Sequence, residues 1–246
     1  MRPLIVVVVL LVAGCGASTQ PSPPYADSPS RQPTTEPAGE PTLEPTPEPE
    51  ARVDPTVIAQ GFTADTETDS VSYAVVIENP NSTWVPRFVD VSITFLDAQG
   101  TELTTETQSI TGMLPQSETA VAGEVPQAGR ATAMEVQISN LNSLPGQMRS
   151  SLEEAGRYDY EGVETLADES GGITTTGVVR SGFESEQINV PIYAVYYSSA
   201  GSVIGGAVTI VDRVPSGNEA PFEASTLATV PDITETRVFG HIGFGS

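Results

Sequence analysis

This chain is predicted to be all-β, with two tandem immunoglobulin-like antiparallel β-sandwiches as its folded part. Three observations carry that prediction. Past residue 56, Val, Ile, Thr, Tyr and Phe come in short runs broken by Gly, Pro, Asn and Asp, the composition of strands and the turns between them. Phe88 to Leu96 alternates, with Val89, Val91, Ile93 and Phe95 on one face and Asp90, Ser92 and Thr94 on the other, the period of a half-buried strand. The order of strand, turn and strand then returns: Ile77 aligns with Val178, Gly100 with Gly201 and Leu103 with Ile204, an offset of 101 residues.

Residues 1–14 read as a signal peptide. Arg2 precedes Leu4 to Val12, an unbroken run of nine apolar residues. That is too short for a membrane span, which needs ~20 residues, and has the length of a signal-peptide apolar region. Val12-Ala13-Gly14-Cys15 follows, and Cys15 is the only cysteine of the 246 residues. These residues resemble the lipobox of prokaryotic lipoproteins. The resemblance implies diacylglyceryl transfer to the Cys15 thiol and cleavage between Gly14 and Cys15. It implies a location on the outer face of the cell membrane, with membrane lipid as partner through Cys15. One acyl chain holds a protein only marginally, whereas two or three anchor it stably.

Residues 15–55 read as a disordered tether. The stretch 16–55 holds 11 of the 21 prolines, and Glu-Pro and Thr-Pro pairs recur with almost no apolar residue. Such a segment buries too little surface to fold, and proline with like charges keeps it extended. Forty residues of polyproline II reach at most ~124 Å at 3.1 Å each.

The first module covers 56–141. Asp97-Ala98-Gln99-Gly100 turns the chain after the alternating strand, with Gly100 free to take positive φ. The second module covers 157–246. Its strand 188–197 puts Val190, Ile192, Ala194 and Tyr196 on the buried face, and Ser198-Ser199-Ala200-Gly201 turns after it. Leu114-Pro115-Gln116-Ser117 has its counterpart in Val214-Pro215-Ser216-Gly217. Between the modules, 142–156 reads as a short connecting helix, with Leu144, Met148 and Leu152 on one face and Gly156 at its end.

Both modules resemble the FxLyD domain, a small β-sandwich of bacterial and archaeal envelope lipoproteins. The residues that carry the resemblance are Ile93-Thr94-Phe95-Leu96-Asp97 and the weaker Ala194-Val195-Tyr196-Tyr197-Ser198, which lacks the Asp. Pro215, Gly217, Pro221 and Phe222 match the family's later Pro-Gly and Pro-Phe element, of which the first module keeps only Pro115. The resemblance implies a fold and a location, and no activity.

Charge and composition exclude several functions. The formal net charge is −22, with no lysine, one histidine and one cysteine. Residues 56–246 alone carry 25 acids against 7 arginines. Such a surface repels nucleic acid. One cysteine and one histidine cannot build a disulfide framework or a His/Cys metal site. No Gly-x-Ser-x-Gly elbow occurs, and His241, the only candidate general base, reads as structural or surface-exposed. The expectation is a non-enzymatic protein without a cofactor.

Three groups of residues are candidates for binding. The strand 188–197 is apolar on both faces, with Pro191, Tyr193, Val195 and Tyr197 where the first module has Ser92 and Thr94. Such a face is covered by another part of the chain or serves as a partner contact, which makes Tyr193 and Tyr197 candidates. Pro191 should place the strand at an edge or a bulge. Trp84, the only tryptophan, lies in a turn-rich loop and either packs over the sandwich end or touches a ligand. Asp65, Glu67 and Asp69 alternate as in a calcium loop, but Ser70 and Val76 stand where an EF-hand needs Gly and Glu. They read as a solvated inter-strand turn, with weak metal binding as the alternative. The expected function is therefore binding or scaffolding at the cell surface, with another envelope protein or a wall polymer as partner. The alternative is a module that responds to calcium or a small ligand through its acidic loops.

Overall fold

In the computed structural model every element among the described residues is a strand, paired antiparallel. The structure describes residues 52–82, 84–141, 156–241 and 244–245. The expected signal peptide, Gly14, Cys15, the tether to residue 51 and helix residues 142–155 lie outside the described residues.

The first module contains β1 (Thr56–Asp65), β2 (Ser70–Asn79), β3 (Arg87–Leu96), β4 (Glu102–Gly112), β5 (Ser117–Pro126) and β6 (Ala133–Ser139). They form two sheets, in the orders β1-β2-β5 and β4-β3-β6. Val89, Val91, Ile93 and Phe95 of β3 are 0% exposed, as their alternation predicts. They meet Tyr73, Val75 and Ile77 of β2 in one core, with the Phe95 ring edge-on to Tyr73 at 5.5 Å.

The second module contains β7 (Tyr158–Ala167), β8 (Ile173–Ser181), β9 (Gln187–Tyr197), β10 (Val203–Val214), β11 (Glu219–Thr226), β12 (Glu235–Gly240) and β13 (Phe244–Gly245). Its pairing repeats the first module strand for strand: β7-β8-β11 matches β1-β2-β5, and β10-β9-β12 matches β4-β3-β6. The two halves of the second module are joined through one residue pair, Val208 with Ser225, which makes them a single curled sheet.

The turns repeat as well. Gly100 has φ 75° and donates its N–H to Asp97 O, while Gly201 has φ 74° and donates to Ser198 O. An ordinary L-residue is strained in that left-handed region, which is why glycine recurs there. In the following loop Gln116 donates back to Asn81 O, and Gly217, one place beyond the aligned Ser216, donates to Ser181 O. The 101-residue match holds at the turn and fails in β8, where Val178, aligned with the fully buried Ile77, is half-buried and its neighbour Val179 is buried instead.

Pro191 departs from expectation. It lies in a central strand, because β9 sits between β12 and β10. The physical reason is local. Pro191 O accepts the His241 N–H at 3.4 Å, so its backbone polar side faces β12. There β12 ends at the Gly240–Ile192 pair, and β13 resumes at Phe244–Ile188. The missing proline N–H falls in that break and costs the ladder no bond.

Candidate functional site

The joint between the modules is where the residues singled out by sequence converge. The β2 strand alternates between two buried faces. Tyr73, Val75 and Ile77 enter the first core, while Ser72, Ala74 and Val76 face the other way. On that second face Ala74 pairs with Gly61 of β1 and with Ala122 of β5, and Ser72 pairs with Thr63 and Glu124. The strand β10 lies across β1, β2 and β5 on this face. The two sheets of the first module and the single curled sheet of the second are thus stacked, and no backbone ladder crosses from one module to the other.

Small side chains set the distance. A Cβ on Gly61 would lie 1.8 Å from Val203 O, and one on Gly206 would lie 2.7 Å from the Ala122 Cβ. Glycine within a strand marks a close backbone approach. The near backbones exchange hydrogen bonds. Ser72 Oγ donates to Gly206 O at 2.8 Å and accepts from Gly206 N–H at 2.9 Å. Thr63 Oγ1 donates to Ile204 O at 2.6 Å. At the rim, Glu124 Oε2 accepts from Thr226 Oγ1 at 2.9 Å and from Leu227 N–H at 2.6 Å.

Tyr193 and Tyr197 belong to this joint and are not a free partner contact. They are 4% and 6% exposed and share a core with the first module, together with Val195. The face is apolar because the first module covers it. Burial pushes the Tyr193 hydroxyl up, and the nearby Glu106 carboxylate pushes it further. The Arg237 guanidinium lies 4.7 Å over the Tyr197 ring.

His241, 1% exposed, closes the joint. Its Nε2 lies 2.7 Å from Ala120 O of β5, and its ring stacks at 4.6 Å on Tyr193 of β9. The carbonyl assigns the proton to Nε2, and Nδ1 is buried without a hydrogen bond. Burial pushes the imidazole down to about 4, partly offset by the Ala120 bond. A neutral histidine in this place is structural.

The acidic residues do not gather into a metal site. Asp65 Oδ1 accepts from Glu67 N–H at 2.8 Å and Thr68 N–H at 3.4 Å, and Oδ2 accepts from Thr229 N–H of the second module at 2.9 Å. The Thr229 amide, then those of Glu67 and Thr68, hold its carboxyl at about 2 against the cost of burial. Asp69 takes φ 51° at the end of the turn, and Glu67 is exposed. Among the described residues no group of three or more His, Cys, Asp or Glu is placed to hold a metal ion. Asp168 does the same capping in the second module, accepting from Ser170 N–H at 2.8 Å and Gly172 N–H at 3.0 Å.

Trp84 is half-buried. Asn79 Nδ2, in a fully buried residue, donates to Trp84 O at 2.8 Å and to Leu114 O at 2.9 Å, fastening two loops. The Arg52 guanidinium lies 5.6 Å from the ring centre. The last tether residues dock beside it: Val53 N–H donates to Asn81 Oδ1 at 2.9 Å, and Asn81 Nδ2 donates to Val53 O at 2.7 Å.

Sequence reasoning missed Ser72, Glu124 and the seam role of His241. Gly61 and the Gly205-Gly206 pair inside strand patterns were the available signal.

No family model matches the chain, and no curated protein matches it. Among solved structures, the exo-chitosanase of Amycolatopsis orientalis is similar at 16% identity and TM-score 0.26, over 74% of this chain and 25% of that one. The C-terminal globular domain of oligosaccharyltransferase from Pyrococcus abyssi is similar at 8% identity and TM-score 0.21, over 76% and 46%. The CBM22-1–CBM22-2 tandem domain from Paenibacillus barcinonensis is similar at 10% and TM-score 0.17, over 81% and 93%. This chain thus spans about a quarter of the chitosanase. Likenesses of this size carry no argument about activity. No helix among the described residues is long and apolar enough to cross a membrane.

Proposed function

We propose that this is a lipid-anchored, extracytoplasmic binding or scaffolding protein without catalytic activity, held at the outer face of the cell membrane through Cys15. The observation that carries the reading is the sole cysteine at the end of Val12-Ala13-Gly14-Cys15, directly after the apolar run Leu4 to Val12. Two or three acyl chains at that position suffice for stable attachment. The Pro/Glu-rich segment then acts as a spacer of up to ~124 Å. Beyond it stand two FxLyD-like modules whose sheets share one joint, a stiff body suited to holding an envelope protein or a wall polymer at a set distance.

The test is fractionation of intact cells carrying the natural chain or Cys15→Ser, followed by crosslinking and recovery of the tagged protein. The natural chain should sediment with the membrane, the variant should be released, and a crosslinked protein or wall fragment should accompany only the anchored form. Equal membrane retention of the variant would overturn the anchor. Recovery of the anchored chain with nothing crosslinked to it would overturn the binding role.

A further inference from the structure

We propose that the joint between the modules is a proton-operated latch: a proton on His241 parts the two stacked sheets while each module keeps its own fold. The inference is independent of the anchor and of any partner.

The geometry supports it in three ways. First, His241 touches both modules, through Ala120 O at 2.7 Å on one side and the Tyr193 ring at 4.6 Å on the other. Second, a second proton can only go to Nδ1, which is buried and has no acceptor. It would create a cation with an unsatisfied donor inside the joint, a costly species in an apolar site. Water is the relief, and it reaches the ring only if the sheets separate. Third, no strand pair crosses the joint, so separation breaks side-chain contacts and leaves every ladder intact.

The groups that face the ring do not supply a counter-charge. From β9 it meets the Tyr193 phenol, on whose hydroxyl the Glu106 carboxylate of β4 acts. From β5 it meets the Ala120 carbonyl, while Glu118, two residues along the same face, is exposed and acts on Tyr197 and Arg237. Gly240, one residue before it, lies against the Tyr160 hydroxyl of β7. None of the ion pairs among the described residues includes the imidazole. Asp65, which ties the far side of the joint to Thr229, stays charged in mild acid because its carboxyl is held at about 2. Asp65 therefore keeps its charge in mild acid, and His241→Gln separates the imidazole from the Glu124 carboxylate at the rim.

Three amides report on the joint alone, because each donates across it: Gly206 to Ser72 Oγ, Leu227 to Glu124 Oε2 and Thr229 to Asp65 Oδ2. The experiment is amide hydrogen exchange by NMR on the full chain at pH 7 and pH 4.5, corrected for intrinsic rates, with His241→Gln alongside. Glutamine keeps a neutral donor and does not titrate. A shift of the imidazole from 6.5 to about 4 predicts that protection at the three amides falls about 50-fold between those pH values. Amides of Ile93 and Val121, inside the first module's ladders, should keep their protection, and His241→Gln should abolish the pH response. Loss shared by all amides, no loss, or a response that survives in the variant would each overturn the proposal. So would direct titration: as the only histidine, His241 gives an unobscured ring signal, and a midpoint near 6.5 in the folded chain refutes the latch.

Discussion

Gly61→Ala is the sharpest perturbation of the joint, and its cost can be worked from geometry. The Ala74 and Ala122 face of the central sheet meets β10 at a distance set by missing side chains. A methyl on Gly61 would stand 1.8 Å from Val203 O and 2.5 Å from its carbon. Both atoms are backbone, so rotamer adjustment cannot relieve the clash, and β10 must retreat. The retreat stretches the Thr63–Ile204 bond and the reciprocal Ser72–Gly206 pair. Three hydrogen bonds at about 1 kcal/mol each set the expected loss at about 3 kcal/mol, the upper end of what overpacking costs. Gly123→Ala is the control. It lies in β5 on the opposite face of the same sheet, and its Cβ would meet ordinary contacts, the nearest being Gln108 Nε2 at 3.4 Å. Urea unfolding of both variants at pH 7 is the assay. The control should cost well under 1 kcal/mol, as a tolerated strand substitution does. Equal destabilisation by the two variants would show that the close approach at Gly61 does not hold the modules, and the account of the joint would fall.

Two further outcomes follow from the same structure. Asp65 has its carboxyl lowered to about 2 from 3.8, first by the Thr229 amide, so it stabilises the fold above pH 3.8 and that contribution fades as pH falls through 2. Asp65→Asn should lower the urea midpoint at pH 7 and make little difference near pH 2. Gly100→Ala and Gly201→Ala meet nothing within 4 Å and have φ of 75° and 74°. Their cost is conformational alone, about 1–2 kcal/mol each and equal within error in thermal or urea unfolding.

Much of the fold was legible because burial in each sandwich is a property of one strand at a time. Val89, Val91, Ile93 and Phe95 announce a buried face through their spacing, and every one is fully buried. The duplication was legible because turns have strict residue demands, which Gly100 and Gly201 meet at the same offset. The joint was half legible. The apolar outer parity of Tyr193, Val195 and Tyr197 says that something covers the strand. What covers it depends on Ser72, Ala74 and Gly61, more than a hundred residues away, and small or polar side chains send no signal of their own. Asp65 was legible as a turn residue, while its tie to the second module was not. Alternating acids suit a capped turn, and nothing in them marks the position of the Thr229 amide.

The same parity sets the two outer faces of the described stack apart from the joint. The second module docks the outer face of its β10-β9-β12 half, through β10 and β9, on the outer face of the β1-β2-β5 sheet, so the two surfaces in contact are different. A contact of that kind is heterologous and can in principle repeat without end. It repeats only if the free end faces resemble the ones already used. On β3, the positions equivalent to Tyr193 and Val195 are Ser92 and Thr94. Their hydroxyls bond sideways to Thr107 at 3.1 Å and Thr105 at 2.8 Å, which leaves a flat polar surface. At the other end, the outward parity of β8 carries Thr174 and Thr176 opposite Ser225 and Glu223. Solvated end faces cap repeat proteins in this way. Exchanging Ser92 and Thr94 for the residues of β9 would make one end adhesive, so the alternation of a single strand separates a buried joint from a solvated end.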